Sequence, residues 1–175
     1  VPDLAGPFQL TVFERLSGPP GSPATVYIEG DGLAFIANSP TPDPTPTDPV
    51  GLRLAGADGG ASVIWLARPC QYSKLATGEA CPMQYWTGKR FAPEVVAAAG
   101  AALDQLALRH GVNGLHLVGY SGGAGLAALL AARRRDVLSL RTVAGNLDNA
   151  ALTRLHEVDA MPDSLDPADV PPPAM

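Results

Sequence analysis

Positive charge is scarce in this sequence of 175 residues. Its 12 Lys and Arg residues are outnumbered by 17 Asp and Glu, which gives a formal net charge of -5 at pH 7. The longest basic run, residues 133–135, has only three members. Nucleic-acid binding draws mainly on clustered Lys and Arg that neutralise phosphates. The composition therefore argues against a nucleic-acid partner.

Long apolar runs are missing as well. No stretch approaches the roughly 18 apolar residues that a membrane-spanning helix needs. The beginning at Val1 has neither the charged nor the apolar part of an export signal. We therefore expect no integral membrane span. Because the chain opens without Met, earlier removal of an export signal is left open.

Cysteine is rare, and the two residues present, Cys70 and Cys81, lie 11 positions apart in a polar, turn-rich stretch. No Cys or His has the spacing of a metal site, so we expect no metal. A disulfide between the two would stabilise the fold by about 3 kcal/mol in the chain-entropy model. It would also indicate an oxidising compartment, which means the cell envelope or periplasm or secretion. Two reduced thiols are the alternative.

Glycine and proline are abundant by contrast, with 19 and 18 residues. Residues 39–49 contain five prolines and are predicted to form an exposed, extended loop. Residues 162–175 contain five more without periodicity, which is typical of a linker or surface arm. We therefore divide the chain into a core, residues 1–161, and a Pro-rich segment, residues 162–175, that is either a tail or the start of a further segment.

Between these segments, strand and helix patterns alternate. Apolar residues near period two or in short continuous runs predict strands, and apolar residues at helical spacing predict helices. The predicted strands are residues 8–15, 24–28, 62–67, 114–118 and 138–144; a helical turn is expected at 52–55, and helices at 93–111 and 122–135. The alternation from residue 62 onward predicts an α/β fold with a mostly parallel sheet flanked by helices.

A G-x-S-x-G pattern, Gly119-Tyr120-Ser121-Gly122-Gly123, falls between a predicted strand and a predicted helix. This is the context of a nucleophile elbow, in which a serine occupies a strained strand-to-helix turn. The sharp turn brings the residues two before and two after the serine close together, and glycine has no side chain to collide there. Ser121 is therefore the candidate nucleophile.

Two backbone amides are candidates for an oxyanion hole. The N–H of Gly122, at the start of the helix, is expected to point to the space above Ser121. A second donor normally comes from the loop after an earlier strand, and Glu29-Gly30-Asp31-Gly32 lies there. The N–H of Asp31 is the candidate. The alternative is that both glycine clusters are ordinary turns at strand ends.

Residues 25–32, 65–69, the helix after Phe91, and residues 115–125 together resemble the core of the α/β-hydrolase superfamily, particularly bacterial serine esterases and lipase-like proteins of the cell envelope. The resemblance covers residues 8–166, and Ile28-Glu-Gly-Asp-Gly32 departs from the His-Gly-Gly-Gly form of many lipases. It implies a three-layer fold and hydrolysis of an ester, thioester or amide through an acyl-enzyme on Ser121, with small-molecule carboxylic esters or thioesters as the expected substrates and no metal or organic cofactor.

The other triad members of this fold follow the serine in the order acid, then His. Only 54 residues follow Ser121. Asp148 is the candidate acid, because some relatives carry an acid just beyond this strand; helix capping or solvation is its alternative role. His156 is expected to share a helix or its approach with Asp148 and is interpreted as a structural or surface residue, as are His110 and His116.

The base and the C-terminal strands are therefore expected outside these 175 residues. An exposed sheet edge would then favour homo-oligomers. Two other functions share the same serine or the same pocket: an acyltransferase that uses Ser121, and a non-catalytic binding module.

Overall fold

A five-stranded mixed sheet forms the centre of the protein. The computed structural model describes residues 6–171. The strands of the sheet are β1 (Val12–Leu16), β2 (Ala24–Ile28), β5 (Ser62–Leu66), β6 (Leu115–Tyr120) and β7 (Val137–Val143), and a separate short hairpin pairs β3 (Phe35–Ile36) with β4 (Ser39–Pro40). The strand order is β1-β5-β2-β6-β7. Only β1 runs antiparallel, against β5, which confirms the predicted mostly parallel sheet.

Helices cover both faces of this sheet. They are α1 (Val50–Ala57), α2 (Pro93–His110), α3 (Gly122–Ala131) and α4 (Asn149–His156). In β5, Ile64 and Leu66 pack in the main core with α2 and α3, whereas Val63 and Trp65 pack with α1 on the other face. Both faces of β5 are thus buried, as its continuous apolar run predicts. The three-layer α/β architecture is confirmed.

Local signals define the ends of α2. Pro93 is its first residue, where a missing N–H is harmless, and Glu94 lies in the first turn. Gly111 caps the C-terminus in the left-handed conformation, with φ 63°. The predicted helix, residues 93–111, is therefore confirmed almost to the residue.

Several predicted elements differ from the structure. The strand predicted at residues 8–15 is found at Val12–Leu16, and the helical turn predicted at 52–55 is the two-turn helix Val50–Ala57. Helix α3 ends at Ala131 rather than residue 135, and Arg134 beyond its end pairs with Asp104 and Asp136. The Pro-rich segment 39–49 is not uniformly exposed: Thr41 is 5% exposed, and its N–H donates to the carbonyl of Ala34 at 3.0 Å. Proline spacing excludes a central strand but says nothing of which residues dock on the core.

The segment after residue 161 contacts the core as far as the structure describes it. The N–H of Leu165 donates to the carbonyl of Phe91 at 3.0 Å. The hydroxyl of Ser164 donates to the carbonyl of Gly88 at 2.8 Å. Residues 1–5 of the predicted core and 172–175 of the predicted tail lie outside the described residues. The domain boundary stays a prediction.

Cys70 and Cys81 form a disulfide with a Cα–Cα distance of 5.7 Å, as one of the two alternatives predicts. The bond closes the loop between β5 and the 3₁₀ turn at Met83–Trp86. Within residues 6–171, none of the helices combines the length and the apolar character needed to cross a membrane.

Candidate active site

Ser121 is the single residue between β6 and α3, and its backbone has φ 50° and ψ -121°. This conformation is strained for a residue with a side chain and persists only where the surroundings fix it. Here the N–H of Ser121 donates to the carbonyl of Val143 at 2.9 Å, and its carbonyl accepts from Ala124 and Asn146, both at 3.0 Å. The backbone thus turns sharply at a half-buried serine.

Glycines make this turn sterically possible. A Cβ on Gly119 would lie 2.6 Å from the nitrogen of Ala124, and one on Gly123 would overlap the carbonyl oxygens of Ile28 and Glu29. Real Cβ atoms do not approach backbone atoms so closely, and backbone atoms in a sheet have little freedom to move. The two outer glycines of the pattern are therefore required by packing around the turn.

The N–H groups of Gly122 and Asp31, the two predicted donors, have no hydrogen-bond acceptor among residues 6–171. The first belongs to the opening turn of α3, whose N–H groups have no partner within the helix. The second belongs to the loop after β2. Gly30, which precedes it, lies against the serine: a Cβ there would be 3.3 Å from Cβ of Ser121 and 2.9 Å from the Tyr120 ring.

The side chain of Asp31 lies against Gly122, where an added Cβ would overlap its carboxylate. Its Oδ1 accepts from Nη1 of Arg68 at 3.0 Å and its Oδ2 from Nη1 of Arg90 at 2.9 Å. The arginine side chains are 5% and 7% exposed and the aspartate 18%. We call these three residues the ion cluster.

Aromatic rings and a backbone carbonyl complete the surroundings of the ion cluster. Arg68 lies over the Phe91 ring at 5.0 Å and Arg90 over the Phe35 ring at 5.9 Å, and Arg68 also donates to the carbonyl of Arg90. Burial lowers the pKa of the Arg68 guanidinium, while the Asp31 carboxylate acts in the opposite direction. The ion cluster by itself carries one net positive charge, but the buried carboxylate of Glu29 also lines the pocket of Ser121 and balances that charge.

Glu29 anchors the loop that carries Asp31. It is 1% exposed, and four N–H groups bond to it: those of Gly30 (3.0 Å) and Gly51 (3.1 Å) to Oε1, and the backbone of Leu52 (3.1 Å) and the indole of Trp65 (3.0 Å) to Oε2. Two of these donors open α1, where the helix dipole also favours a negative charge. Each oxygen of this buried carboxylate therefore accepts two hydrogen bonds, and its role is to hold the loop and the start of α1 in place.

A pocket of about 230 Å³ opens above the serine. Its walls combine the loop after β2, the Pro-rich segment and the end of β6: Glu29, Asp31, Gly32, Leu33, Pro46, Thr47, Asp48, Val50, Tyr120 and Ser121. The pocket thus unites the predicted nucleophile with one predicted amide donor, and the other donor is the next residue in the chain.

Asp148, the candidate acid, is the N-cap of α4. Its Oδ1 accepts from the N–H of Ala151 at 2.7 Å, and the residue is exposed. His156 is the last residue of the same helix and is also exposed. The structure therefore gives Asp148 the capping role that was its alternative interpretation, and a catalytic role stays a prediction.

The other two histidines contact groups away from the serine. Nε2 of His110 lies 3.2 Å from Oε2 of Glu14, and Nδ1 of His116 lies 2.8 Å from Oγ of Ser139. None of the three histidines, all within residues 6–171, lines the pocket of Ser121.

The sequence analysis missed Arg68, Arg90 and Gln71. A signal for Arg68 existed, since it directly follows a buried strand, and parallel strands end at the same sheet edge. Gln71 is only three residues further on. Arg90 lies in an irregular segment before α2, where no periodicity indicates a role.

No family model matches the chain, and no curated protein matches it. Solved structures do. A candidate α/β hydrolase of unknown function from Agrobacterium tumefaciens is 15% identical with a TM-score of 0.54 and covers 78% of this chain. Proline iminopeptidase of Mycobacterium smegmatis is 20% identical, TM-score 0.52, over 85%. Est1E of Butyrivibrio proteoclasticus, solved with ferulic acid bound, is 13% identical, TM-score 0.53, over 94%.

The chain spans only 56%, 44% and 59% of the length of these three proteins. At such low identities the likeness concerns the fold alone. The chain therefore has the α/β-hydrolase fold over about half the length of its structural neighbours.

Proposed function

We propose that this chain provides the nucleophile and the oxyanion hole of a serine hydrolase acting on small-molecule carboxylic esters or thioesters. The oxygen of Ser121 bonds to the acyl carbon, and the carbonyl electron pair moves onto oxygen. Collapse of this tetrahedral anion breaks the bond to the alcohol or thiol, which leaves with a proton. Water then releases the acid by the same two steps.

One observation carries the proposal: a half-buried serine in a strained turn lies beside two amides without acceptors. The amides of Gly122 and Asp31 are the proposed donors to the anion. Preorganised donors of this kind favour the transition state over the neutral ester, and each is typically worth about 10²–10³-fold in kcat.

The charge of the ion cluster supports the same assignment. Asp31 places a carboxylate against Gly122, and alone it would oppose a developing anion. Arg68 and Arg90 pair with this carboxylate and offset its charge, so that it does not act alone on the anion. Because the cluster is largely buried, the compensation by the two guanidinium groups is weakly screened by solvent.

The proton acceptor for Ser121 is proposed to be a residue outside these 175. Asp148 stays the candidate acid, because its Oδ1 can keep the cap on α4 while Oδ2 accepts from a base. The disulfide supports a proposed location in the cell envelope or outside the cell. Homo-oligomers through the edge strand β7, where Leu138 is 50% and Val143 40% exposed, also stay a prediction.

A fluorophosphonate probe tests the proposal on the protein at its full natural length. We expect one adduct, on the peptide that contains Ser121, and its loss in Ser121→Ala. Ser39→Ala is the matched control, since Ser39 is exposed on the small hairpin, and it should label normally.

Labelling that survives Ser121→Ala would refute the assignment of the nucleophile. A folded protein without any label would favour the binding module instead. Product analysis with a competing alcohol separates hydrolysis from acyl transfer.

A further inference from the structure

Gln71 lies in a segment whose backbone is held in an unusual conformation. Its neighbours Cys70 and Tyr72 have φ 72° and 54°, values that residues other than glycine rarely adopt. Cys70 is fixed by its disulfide. The N–H of Tyr72 donates to Oγ1 of Thr45 at 3.0 Å. Strain on both sides of one residue indicates that the position of Gln71 is closely determined.

The Gln71 side chain is 1% exposed and reaches the loop beside the serine. Its Nε2 donates to the carbonyl of Gly30 at 2.9 Å, and its Oε1 accepts from the N–H of Arg68 at 3.1 Å. The backbone N–H of Arg68 can only donate, and the carbonyl of Gly30 can only accept. The two partners therefore fix which end of the amide is which.

This hydrogen bond orients the peptide between Gly30 and Asp31. Cis peptides do not occur among residues 6–171, so the carbonyl of Gly30 and the N–H of Asp31 point in opposite directions. With the carbonyl held by Gln71, the N–H is directed away from that side chain. Asp31 itself lines the pocket with Ser121.

Glycine at position 30 makes this restraint necessary. A residue without a Cβ reaches both signs of φ readily, so the peptide could rotate and present its carbonyl to the pocket. A carbonyl there would repel the anion that an N–H would stabilise. A side chain is excluded, because a Cβ on Gly30 would crowd Tyr120 and Ser121.

We propose that Gln71 is a positioning residue that holds the Gly30–Asp31 peptide with its N–H available to the oxyanion. The inference rests on the proposed function of Ser121. It assigns to the disulfide-anchored segment after β5 a part in catalysis through the orientation of one amide, with no contact to the reacting atoms.

Gln71→Glu tests this inference, with Gln84→Glu as control because Gln84 is exposed. The ionised carboxyl at position 71 cannot donate to Gly30, so kcat at pH 8 should fall about 10–100-fold, with KM within about twofold. The protonated carboxyl has a donor and an acceptor, as the amide has. The ratio of variant to wild-type kcat should therefore rise severalfold as the pH falls from 8 towards 5, whereas the ratio for Gln84→Glu should stay near one.

The outcomes separate this inference from the function on which it rests. An inactive, unlabelled wild-type protein refutes the proposed function and the catalytic role of Gln71 with it. An active wild type with unchanged kcat in Gln71→Glu, or with a kcat ratio that does not vary with pH, refutes the positioning role alone.

A measurement on the wild type covers the case in which Gln71→Glu fails to fold. In nuclear magnetic resonance spectra, the side-chain amide protons of Gln71 and the backbone amide of Asp31 should shift when the phosphonyl group is attached to Ser121. Unchanged resonances at both positions would overturn the inference.

Discussion

Replacing Asp31 by Asn should destabilise the protein strongly, although the change removes a single charge. The carboxylate bonds to Arg68 at 3.0 Å and to Arg90 at 2.9 Å, and both arginine side chains are over 90% buried. Asn keeps the shape and one acceptor but leaves two guanidinium groups close together without a counter-charge. The backbone N–H of residue 31 is retained.

The size of the effect follows from burial. Two unit charges about 4 Å apart attract with about 4 kcal/mol at an effective dielectric constant near 20, and desolvation offsets much of this in the intact cluster. Removing one partner keeps the desolvation of the others without the attraction, and the usual loss is about 3–5 kcal/mol. Domains are stable by only about 5–15 kcal/mol in total.

Urea unfolding at pH 7 measures the loss. For a slope near 2 kcal/mol per molar, the midpoint of Asp31→Asn should fall by about 2 M. Asp48→Asn is the control, because Asp48 pairs with Arg53 at a similar 2.9 Å while the side chains are 64% and 70% exposed. That change should cost less than about 1 kcal/mol.

A second substitution tests the cause. Arg68→Met in the Asp31→Asn background removes one of the two uncompensated charges and should restore part of the stability. Equal losses for Asp31→Asn and Asp48→Asn, or a further loss in the double variant, would refute the reasoning.

Three further changes test other contacts by urea or thermal unfolding. Gly123→Ala should cost about 1–3 kcal/mol, because its Cβ meets two backbone carbonyls; Gly56→Ala, with open space around it in α1, should instead stabilise by about 0.5–1 kcal/mol, and equal effects would contradict the steric argument. Replacing Cys70 and Cys81 together by Ser should cost about 3 kcal/mol by the loop-entropy model, and an unchanged midpoint would contradict it. Glu29→Gln places an NH2 group against N–H donors and should cost about 1–3 kcal/mol, so wild-type stability would show that those four bonds contribute little.

Local patterns were sufficient for the elements whose cause is local. The strand at residues 24–28 is found with the predicted bounds, because its alternation reflects one face on the main core. The ends of α2 follow from Pro93 and Gly111. The pattern around Ser121 also predicted the sharp turn, because the small residues that such a turn requires lie within five consecutive positions.

The ion cluster could not be predicted in this way, because its cause is the order of strands in the sheet. Asp31 lies 37 residues from Arg68 and 59 from Arg90 along the chain. Their meeting requires that β5 insert beside β2 rather than follow the sequence order, as the arrangement β1-β5-β2-β6-β7 has it. No periodicity in the sequence encodes that order.

Asp31 explains why the cluster and the proposed oxyanion hole depend on each other. Its backbone N–H is proposed to attract a negative charge, while its own carboxylate, packed on Gly122, repels one. A small neutral residue at position 31 would remove the repulsion but would also leave Arg68 and Arg90 without the group that draws both of them to this edge of the sheet. With all three present, the carboxylate orders two buried cations near Ser121, and these cations offset its charge. The carboxylate that would oppose an anion at Ser121 is thus the group that brings the two compensating cations to it.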